Sequence, residues 1–439
     1  MPYSDHITDL ESNYYLNWLE EKTGYRLEPV IIRQKDAPAY LDRLFSSDVD
    51  TDMVFFGEGF TITVNDVDRY ASEGHLVKRE NGDFYYPNYG NRAASDCGQV
   101  FWINEEWLRR LELKLPETVG ELRDVLAAFK NLDPNGNGIH DEIPLIGSAD
   151  IFYLNPVEFL LNSFIYNDPL HNRKYIDENG RETSAVGQEA FREGLAFCSD
   201  MVREGLLDEK SFSTSKSAMS ELVNSPADLV GAFTTRSISD VLYQGNPEIM
   251  ASYIHIPPLS GPEGERNALY TEPVPEVGAV ILKKSRHPEE AAILLDTMLT
   301  TEASLIARYG EQGVDWDYSE GLDVSIYGTK STIVTKTYIW DTPQNKHLNG
   351  IGAMMVPDDD LKGVTWNGLN SDAEYIDARA GMSYESFFPK ESATEEYDPS
   401  LAELMNHTIT DFVTGKRDIA DDREWNDFQK AVEEMRENE

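Results

Sequence analysis

The sequence predicts an α/β protein with two lobes. The chain has 439 residues, which is more than one hydrophobic core usually spans. Apolar residues make up 40% of it, enough to form cores of ordinary size. In the first hundred residues, short apolar runs alternate with helical patterns. That alternation is typical of a parallel sheet covered by helices.

Local patterns place the individual elements. A helix is predicted from Ser12 to the stop at Gly24, because glycine readily adopts the left-handed conformation that ends helices. A run over 99–108 reads as a strand leading into a helix, and Thr118 with Glu121 matches a capping box. The same criteria predict other strands at 25–32, 52–56, 84–86 and 277–282. They predict other helices at 38–45, 118–132, 157–166, 187–204, 216–223, from 287 onward, 399–413 and 425–435.

Charge and cysteine content exclude several classes of protein. Lys plus Arg number 38 and Asp plus Glu number 79, so the formal net charge is −41. Such a surface repels nucleic acids and anionic lipids, and no Lys/Arg cluster offsets it. The two cysteines, Cys97 and Cys198, exclude a disulfide-dense scaffold and the usual thiolate zinc sites, and we expect both to be free thiols.

The strongest motif is the loop 133–142. Side-chain oxygens stand at the first, third, fifth and ninth positions, and a glycine stands at the sixth, as in the first part of an EF-hand. The glycine, Gly138, supplies the sharp bend that lets alternate residues point inward. The predicted calcium ligands are Asp133, Asn135, Asn137, the backbone carbonyl of Ile139, Asp141 and Glu142.

The end of this loop departs from the EF-hand pattern. Pro144 stands where the bidentate glutamate is usual, and proline also forbids an exiting helix. Glu142 is the candidate replacement. We therefore expect a helix–loop–strand site that holds a structural Ca²⁺ ion, the alternative being an Asn/Gly-rich turn without an ion.

Residues in loops that follow strands are the candidates for ligand binding. An aromatic ring can stack on the apolar face of a sugar while amides and charged groups bind the hydroxyls. The alternative is core packing for the aromatics and a surface salt bridge for Arg236. The chain contains no recognisable nucleophile, phosphate-loop or dinucleotide motif, so no catalytic residue is predicted. The candidates are Glu58, Phe60, Trp102, Tyr153, Asn155, Arg236, Tyr309 and Trp366.

Several segments together resemble a known family, the extracellular solute-binding proteins of family 1, which are the substrate receptors of ABC importers. The similarity is strongest to large lipoprotein-type members of Gram-positive bacteria and to alginate-binding proteins. The resemblance rests on a helix ending in Thr-Gly, a Phe-Trp-Ile-Asn strand with the helices after it, the calcium-type loop, an Arg-Tyr-Gly segment and the tail. These lie at 13–24, 101–130, 133–142, 308–316 and 412–419.

This resemblance implies a two-lobe, periplasmic-binding-protein-like fold, with two doubly wound sheets joined by hinge crossings. It suggests lobe one at 1–103 plus 271–312, and lobe two at 104–270 plus 313–439 with the calcium loop. A ligand would bind between the lobes, and the closed form would be recognised by a membrane permease. The family's opening strand would lie in a leader that also carries the lipid anchor to the cell surface.

The functional expectation is therefore an extracellular, monomeric receptor that binds a carbohydrate, specifically an oligosaccharide, and is not an enzyme. Two alternatives stay open at this point. One is a calcium-stabilised glycosidase or lyase, which would need a pair of carboxylates flanking the sugar. The other is a receptor for non-sugar cargo such as a peptide.

Overall fold

The computed structural model describes residues 7, 9–46, 50–57, 60–89, 97–242, 249, 252–271, 276–321, 330–336, 345–348, 350–355, 364–366, 373–391, 393–394 and 397–437. The chain packs into two units, each made from two stretches of sequence. Unit 1 comprises Met1–Ala94 with Pro273–Asn370, and unit 2 comprises Ser95–Glu272 with Ser371–Glu439. No helix in these described ranges is both long and apolar enough to cross a membrane.

Each predicted helix is present, although the one expected at 157–166 ends at Leu161, and the helices Val64–Ser72 and Ala373–Tyr384 were not predicted. They are α1 (Tyr14–Thr23), α2 (Ala37–Ser46), α3 (Val64–Ser72), α4 (Glu105–Arg110), α5 (Val119–Asn131), α6 (Pro156–Leu161), α7 (Glu189–Arg203), α8 (Lys216–Val223), α9 (Pro288–Met298), α10 (Thr301–Tyr309), α11 (Ala373–Tyr384), α12 (Pro399–Val413) and α13 (Asp422–Glu437). The strands are β1 (Met53–Phe55), β2 (Tyr86–Asn88), β3 (Val100–Asn104), β4 (Lys174–Ile176), β5 (Glu182–Ser184), β6 (Ala232–Thr235), β7 (Tyr253–Ile256), β8 (Glu276–Ile281), β9 (Trp316–Tyr318), β10 (Ile333–Thr335) and β11 (Val364–Trp366).

Unit 1 is organised by the sheet β1–β8–β2. The central strand β8 is antiparallel to both neighbours, so β1 and β2 run in the same direction on either side of it. The predicted parallel pairing is therefore corrected for this sheet, because a strand from the second stretch of the unit inserts between two strands of the first. A second sheet pairs β10 in parallel with β11 and antiparallel with β9.

Unit 2 is organised by the sheet β6–β3–β7. β3 lies in the centre, antiparallel to both neighbours, and all five of its residues are buried. Residues 143–146 extend the sheet beyond β6 through the bridges Ile143–Val230 and Ile146–Phe233. One hydrophobic cluster joins this sheet to α5, α6, α7, α12 and α13. Cys97 and Cys198 are buried free thiols, as expected.

Two local expectations are corrected. Residues 25–31 form no strand, and the amide of Leu27 instead donates to the Glu20 side chain at 2.7 Å. The capping box at Thr118 is half formed. The Thr118 hydroxyl accepts from the Glu121 amide at 3.1 Å, but the Glu121 carboxylate accepts from the amide of Glu117 instead of that of Thr118.

The unit boundaries also differ from the suggested lobes. Residues 100–103 belong to unit 2, because β3 pairs with β6 and β7. Residues 313–370 belong to unit 1, where the amide of Gly352 donates to the Phe56 carbonyl and the amide of Met354 to the Pro87 carbonyl, both at 3.0 Å. The stop at Gly310 ends α10, but the chain does not leave unit 1 there.

A buried ion pair fixes α6 within unit 2. Arg173 and Glu158 are 1% and 3% exposed. The guanidinium makes two parallel hydrogen bonds of 2.7 Å to the Glu158 carboxylate, and it also donates to Asn167 at 2.6 Å and to Asn406 of α12 at 2.8 Å. Each charge is thus satisfied by its partner, and removing one would leave the other buried without a partner.

We expect Arg173→Met to destabilise the protein by about 3–5 kcal/mol, because it strands the buried Glu158 carboxylate. Urea unfolding monitored by circular dichroism measures this. Arg181→Met, in the exposed hairpin of the same unit, is the matched control and should stay within about 0.5 kcal/mol of wild type. Equal effects of the two substitutions would show that the buried pair has no special role.

Candidate functional site

The loop 133–142 begins directly after α5. Asp133 adopts a left-handed backbone conformation with φ of 49°, which ends the helix. Gly136 and Gly138 have φ of 72° and 78°, conformations that favour glycine. The sharp bend predicted at Gly138 is therefore present in the structure.

Side-chain oxygens of the loop close it on itself. The Asp133 carboxylate accepts from the amide of Asn137 at 3.1 Å and from the amide of Gly138 at 3.0 Å. The Oδ1 atom of Asn135 also accepts from the Asn137 amide, at 3.0 Å. The Oδ1 atom of Asn137 accepts from the Ile139 amide at 2.6 Å. The side chains predicted at the first, third and fifth ligand positions thus share one turn.

The acidic end of the loop contains an unbalanced charge. Asp141 Oδ1 accepts from the side-chain amides of Asn135 and Asn137, at 3.3 and 3.0 Å. Both carboxylate oxygens of Glu142 are buried, and neither has a hydrogen-bond partner. Burial raises the pKa of Glu142 and the nearby carboxylates of Asp133 and Asp141 raise it further, whereas the backbone amide of Glu142 itself and His140 act in the opposite direction.

These groups fit a hard cation. In the part of the chain that the structure describes, no three His, Cys, Asp or Glu side chains are grouped to hold a metal ion. In a loop of this kind, however, several of the oxygen ligands belong to side-chain amides and to a backbone carbonyl. The buried, unpartnered oxygens of Glu142 are the donors that a cation would satisfy. The loop is also held against α4, because Arg110 donates to the carbonyls of Pro134 and Asn135 at 2.9 and 3.2 Å.

A second candidate region lies in unit 2, around the turn that precedes α6. Tyr153 belongs to the 3₁₀ turn Phe152–Leu154 and is half-buried. Asn155 caps α6, since its Oδ1 atom accepts from the Val157 amide at 3.1 Å. The turn is therefore a rigid start to a helix and presents an aromatic ring and an amide close together.

Gln99 connects this turn to the sheet. Its side-chain amide lies within hydrogen-bonding distance of the carbonyls of Tyr153 and Asn155, at 3.1 and 3.0 Å, and of the Thr234 hydroxyl, at 3.2 Å. Gln99 is 2% exposed, so the contacts are shielded from water. Sequence reasoning missed this residue, because its partners are mainly backbone carbonyls, which no residue pattern reveals.

Arg236 directly follows the last residue of β6. It is exposed, and neither a hydrogen bond nor a salt bridge joins it to any residue in the described ranges. Burial and the carboxylate of Asp240 raise the pKa of Tyr153, whereas the cations Lys216 and Arg236 act in the opposite direction. All three charged groups thus act electrostatically on one phenol, and Lys216 pairs with Asp240 at 2.8 Å. We call Gln99, Tyr153, Asn155 and Arg236 the Tyr153 cluster.

Three other candidates are placed in hydrophobic cores. Trp102 is fully buried in the central strand β3, and its ring meets that of His255 edge-on at 6.1 Å. Phe60 is 1% exposed and packs on Phe56 with ring centroids 5.3 Å apart. Tyr309 is 3% exposed at the end of α10. All three side chains are thus buried against their neighbours, and their predicted contact with a ligand stays a prediction.

The two remaining candidates are not placed by the structure. Glu58 lies outside the described residues. Trp366 is the last residue of β11, but its side chain is outside the description. Their predicted roles stay predictions.

Comparison with known proteins identifies relatives of the chain. No family model matches it. The fructooligosaccharide ABC transporter substrate-binding protein FusA of Streptococcus pneumoniae serotype 4 is 25% identical over 470 residues, covering 96% of this chain and 82% of FusA. The lipoprotein LipO of Bacillus subtilis strain 168 is 24% identical over 237 residues, covering 51% of this chain and 45% of LipO.

Solved structures agree with these sequence matches. An EF-hand mutant of Streptococcus pneumoniae FusA in complex with fructo-nystose has a TM-score of 0.68 at 20% identity, covering 99% of this chain and 94% of that one. The chain is a homologue of ABC-transporter substrate-binding proteins. An extracellular solute-binding protein from Bifidobacterium longum subsp. infantis has a TM-score of 0.69 at 19% identity, and the match covers 99% of this chain and 94% of that protein.

As a substrate-binding-protein homologue, the chain has the predicted two-lobe, periplasmic-binding-protein-like fold. FusA has also been solved in complex with kestose, and that structure has a TM-score of 0.67 at 19% identity, covering 99% and 94%. The relatives are binding proteins, which agrees with the expectation that this chain is not an enzyme. The FusA protein in the fructo-nystose complex carries a mutation in an EF-hand, which is a feature of FusA.

We expect Gln99→Leu to loosen the turn at 152–155, because it leaves the Tyr153 carbonyl without a donor, at a cost of about 1–3 kcal/mol. The Asn155 carbonyl loses one donor and keeps the Glu158 amide at 3.1 Å. Hydrogen–deuterium exchange measures this as faster exchange at Leu154 and Asn155, with α5 unchanged. Gln429→Leu, which removes one side-chain bond to the Val186 carbonyl in the same unit, is the control. Unchanged exchange in Gln99→Leu would contradict the assigned role.

Proposed function

We propose that this chain is the extracellular substrate-binding component of an ABC importer, that it binds an oligosaccharide, and that it delivers this sugar to a membrane permease. The observation that carries the proposal is the similarity to FusA, a fructooligosaccharide-binding receptor, over 96% of the chain. Similarity to LipO supports attachment to the cell surface through a lipid. We propose a monomer, as the resemblance to such receptors implies, and no nucleic-acid partner, because the net charge is −41.

The Tyr153 cluster supplies the chemistry that sugar recognition needs. The half-buried ring of Tyr153 offers a flat apolar surface to a pyranose or furanose ring. The side-chain amide of Asn155 and the guanidinium of Arg236 offer donors to hydroxyl oxygens. Gln99 holds the turn in place, so the sugar would meet a preorganised surface and little ordering entropy would be lost on binding.

The proposed role involves no covalent change in the sugar. No catalytic residue is proposed, and the candidate binding groups comprise an aromatic ring, an amide and a cation. A glycosidase or lyase would require two carboxylates flanking the scissile bond. Chromatography of an oligosaccharide after incubation with the protein distinguishes these functions, because a binding protein returns the sugar intact.

We also propose that the loop 133–142 binds one structural Ca²⁺ ion. The residues that would hold it are Asp133, Asn135, Asn137, Ile139 through its carbonyl, Asp141 and Glu142. The ion would supply positive charge that offsets the mutual repulsion of three carboxylates. The buried and unpartnered oxygens of Glu142 support this proposal. The role is structural, because the loop leads into residues 143–146 beside β6 and has no exiting helix to move.

We expect wild-type protein to bind kestose or a longer fructooligosaccharide, and Tyr153→Ala to weaken that affinity by about tenfold or more, as loss of a central aromatic contact does. Isothermal titration calorimetry measures both. Tyr397→Ala, which removes a tyrosine that is 54% exposed elsewhere in unit 2, should bind like wild type.

Two results would count against this prediction. If wild-type protein binds no member of a panel of fructo-, gluco- and galacto-oligosaccharides but binds peptides, the receptor has another class of cargo. If sugars bind equally well to wild type and Tyr153→Ala, the ligand does not use the Tyr153 cluster.

We expect Asp133→Ala to lower the melting temperature markedly and to abolish the stabilisation that added Ca²⁺ gives wild type, because a ligand that binds only the folded state stabilises it by mass action. Thermal unfolding with Ca²⁺ or EDTA measures both effects. Asp177→Ala is the matched control, because Asp177 also accepts backbone amides of a turn, those of Asn179 and Arg181, outside the cation loop.

Sugar affinity should be nearly intact in Asp133→Ala, since the loop and the Tyr153 cluster share no residue. Equal loss of stability and affinity would mean that the loop belongs to the ligand site. An EDTA-insensitive melting temperature would contradict the calcium proposal itself.

A further inference from the structure

The cation loop contains two Asn-Gly pairs in succession, Asn135-Gly136 and Asn137-Gly138, and both are exposed or half-buried. Two further pairs in the described ranges, Asn81-Gly82 and Asn179-Gly180, are exposed in turns of the same chain. Asn-Gly is the dipeptide in which the following backbone nitrogen most readily attacks the asparagine side chain, because glycine has no side chain to hinder its amide. The four pairs can therefore be compared within a single molecule.

The reaction is deamidation, and water is its only co-reactant. The backbone nitrogen of the glycine attacks Cγ of the asparagine. A bond between that nitrogen and Cγ forms, the bond from Cγ to Nδ2 breaks, and ammonia leaves with the glycine amide proton. Water then opens the cyclic imide at one of its two carbonyls, giving aspartate or isoaspartate.

At Asn137 both reacting groups are held by side chains of the loop. The attacking group, the Gly138 amide, donates to Asp133 Oδ2 at 3.0 Å. The Asn137 side chain is held at both ends, with Oδ1 accepting from the Ile139 amide at 2.6 Å and Nδ2 donating to Asp141 Oδ1 at 3.0 Å. Attack on Cγ requires these contacts to break together.

At the other pairs the glycine amide is held by the backbone. Gly82 donates to the Arg79 carbonyl at 3.1 Å, Gly180 to the Asp177 carbonyl at 2.9 Å, and Gly136 to the Asp133 carbonyl at 3.1 Å. These are bonds within tight turns and contain no carboxylate partner. Only at Gly138, among these four glycines, does protection come from an acid that the cation is proposed to bind.

We infer that Asn137 is a deamidation site whose reactivity is controlled by cation occupancy of the loop. The inference rests on the proposed calcium site for its control and on the observed hydrogen bonds for its chemistry. With the ion bound, Asp133 and Asp141 are fixed and Asn137 is held away from attack. Without it, repulsion among Asp133, Asp141 and Glu142 opens the loop and frees the Gly138 amide.

The consequence is irreversible loss of the site. Isoaspartate adds a methylene group to the main chain, which would shift every donor after position 137 relative to Asp133. Brief calcium depletion would leave the loop able to rebind the ion, whereas prolonged depletion would not. The loop would thus record how long the protein has spent without its cation.

The experiment is incubation of the full chain at mildly alkaline pH with Ca²⁺ or with EDTA, followed by peptide mapping by mass spectrometry. Replacement of the amide NH₂ by OH, together with ammonia release, reports the reaction at each Asn. We expect EDTA to raise deamidation at Asn137 severalfold, to raise it less at Asn135, and to leave Asn81 and Asn179 unchanged. Native mass spectrometry of the same samples records whether an ion is bound.

Two variants keep the inference open to refutation. Asp133→Asn should deamidate at Asn137 even in Ca²⁺, because one of its two acceptor oxygens becomes an amine that cannot accept from Gly138. Asn137→Ser should show no mass change at this position and should recover ion binding after prolonged EDTA treatment. Circular dichroism establishes that both variants are folded.

Each other outcome overturns the inference. If all four pairs respond equally to EDTA, global unfolding controls them. If EDTA removes the ion and the deamidation rate at Asn137 does not change, the loop stays closed without the ion. If no ion is present at any stage, the calcium proposal fails, and a high rate at Asn137 in Asp133→Asn would then still support protection by the Asp133–Gly138 bond alone.

Discussion

The proposed cation site of unit 2 depends on how the charge of Glu142 is balanced. Its two oxygens are buried without a hydrogen-bond partner, beside two further carboxylates, and an uncompensated charge in such a place is costly. The loop that contains it leads directly into residues 143–146, which lie along β6. β6 in turn ends at Thr235, next to Arg236. The cation loop and the Tyr153 cluster are therefore attached to the same sheet but share no residue.

The Tyr153 cluster shows how a small number of buried polar contacts can position a surface site. Gln99 contributes no group to the surface, yet its amide holds the turn that presents Tyr153 and Asn155. Behind that turn, α6 is fixed to α12 by the buried pair Arg173 and Glu158 and by Asn406. A binding surface supported in this way is rigid, and rigidity reduces the entropy lost when a flexible oligosaccharide binds.

The cation loop and most of the helices could be predicted from the sequence, for physical reasons. The loop 133–142 has a fixed spacing of oxygen donors, so local geometry alone specifies it. Helices with clear apolar faces were likewise located to within a few residues. Trp102 could not be placed, because burial of an aromatic residue depends on neighbours distant in sequence. The boundary near residue 313 was also missed, since the hydrogen bonds that join Gly352 and Met354 to Phe56 and Pro87 are tertiary contacts. The role of Gln99 could not be predicted, because its partners at Tyr153 and Asn155 are backbone carbonyls, which every residue type has.

The most direct test of the account is native mass spectrometry of protein purified without chelator, alongside Glu142→Gln, which replaces the unbalanced carboxylate by a neutral amide of the same shape. The account predicts one bound calcium ion in wild type, and its loss or marked weakening in Glu142→Gln. Wild-type protein that carries no ion even in millimolar Ca²⁺, or a Glu142→Gln variant that binds calcium as tightly as wild type, would contradict it.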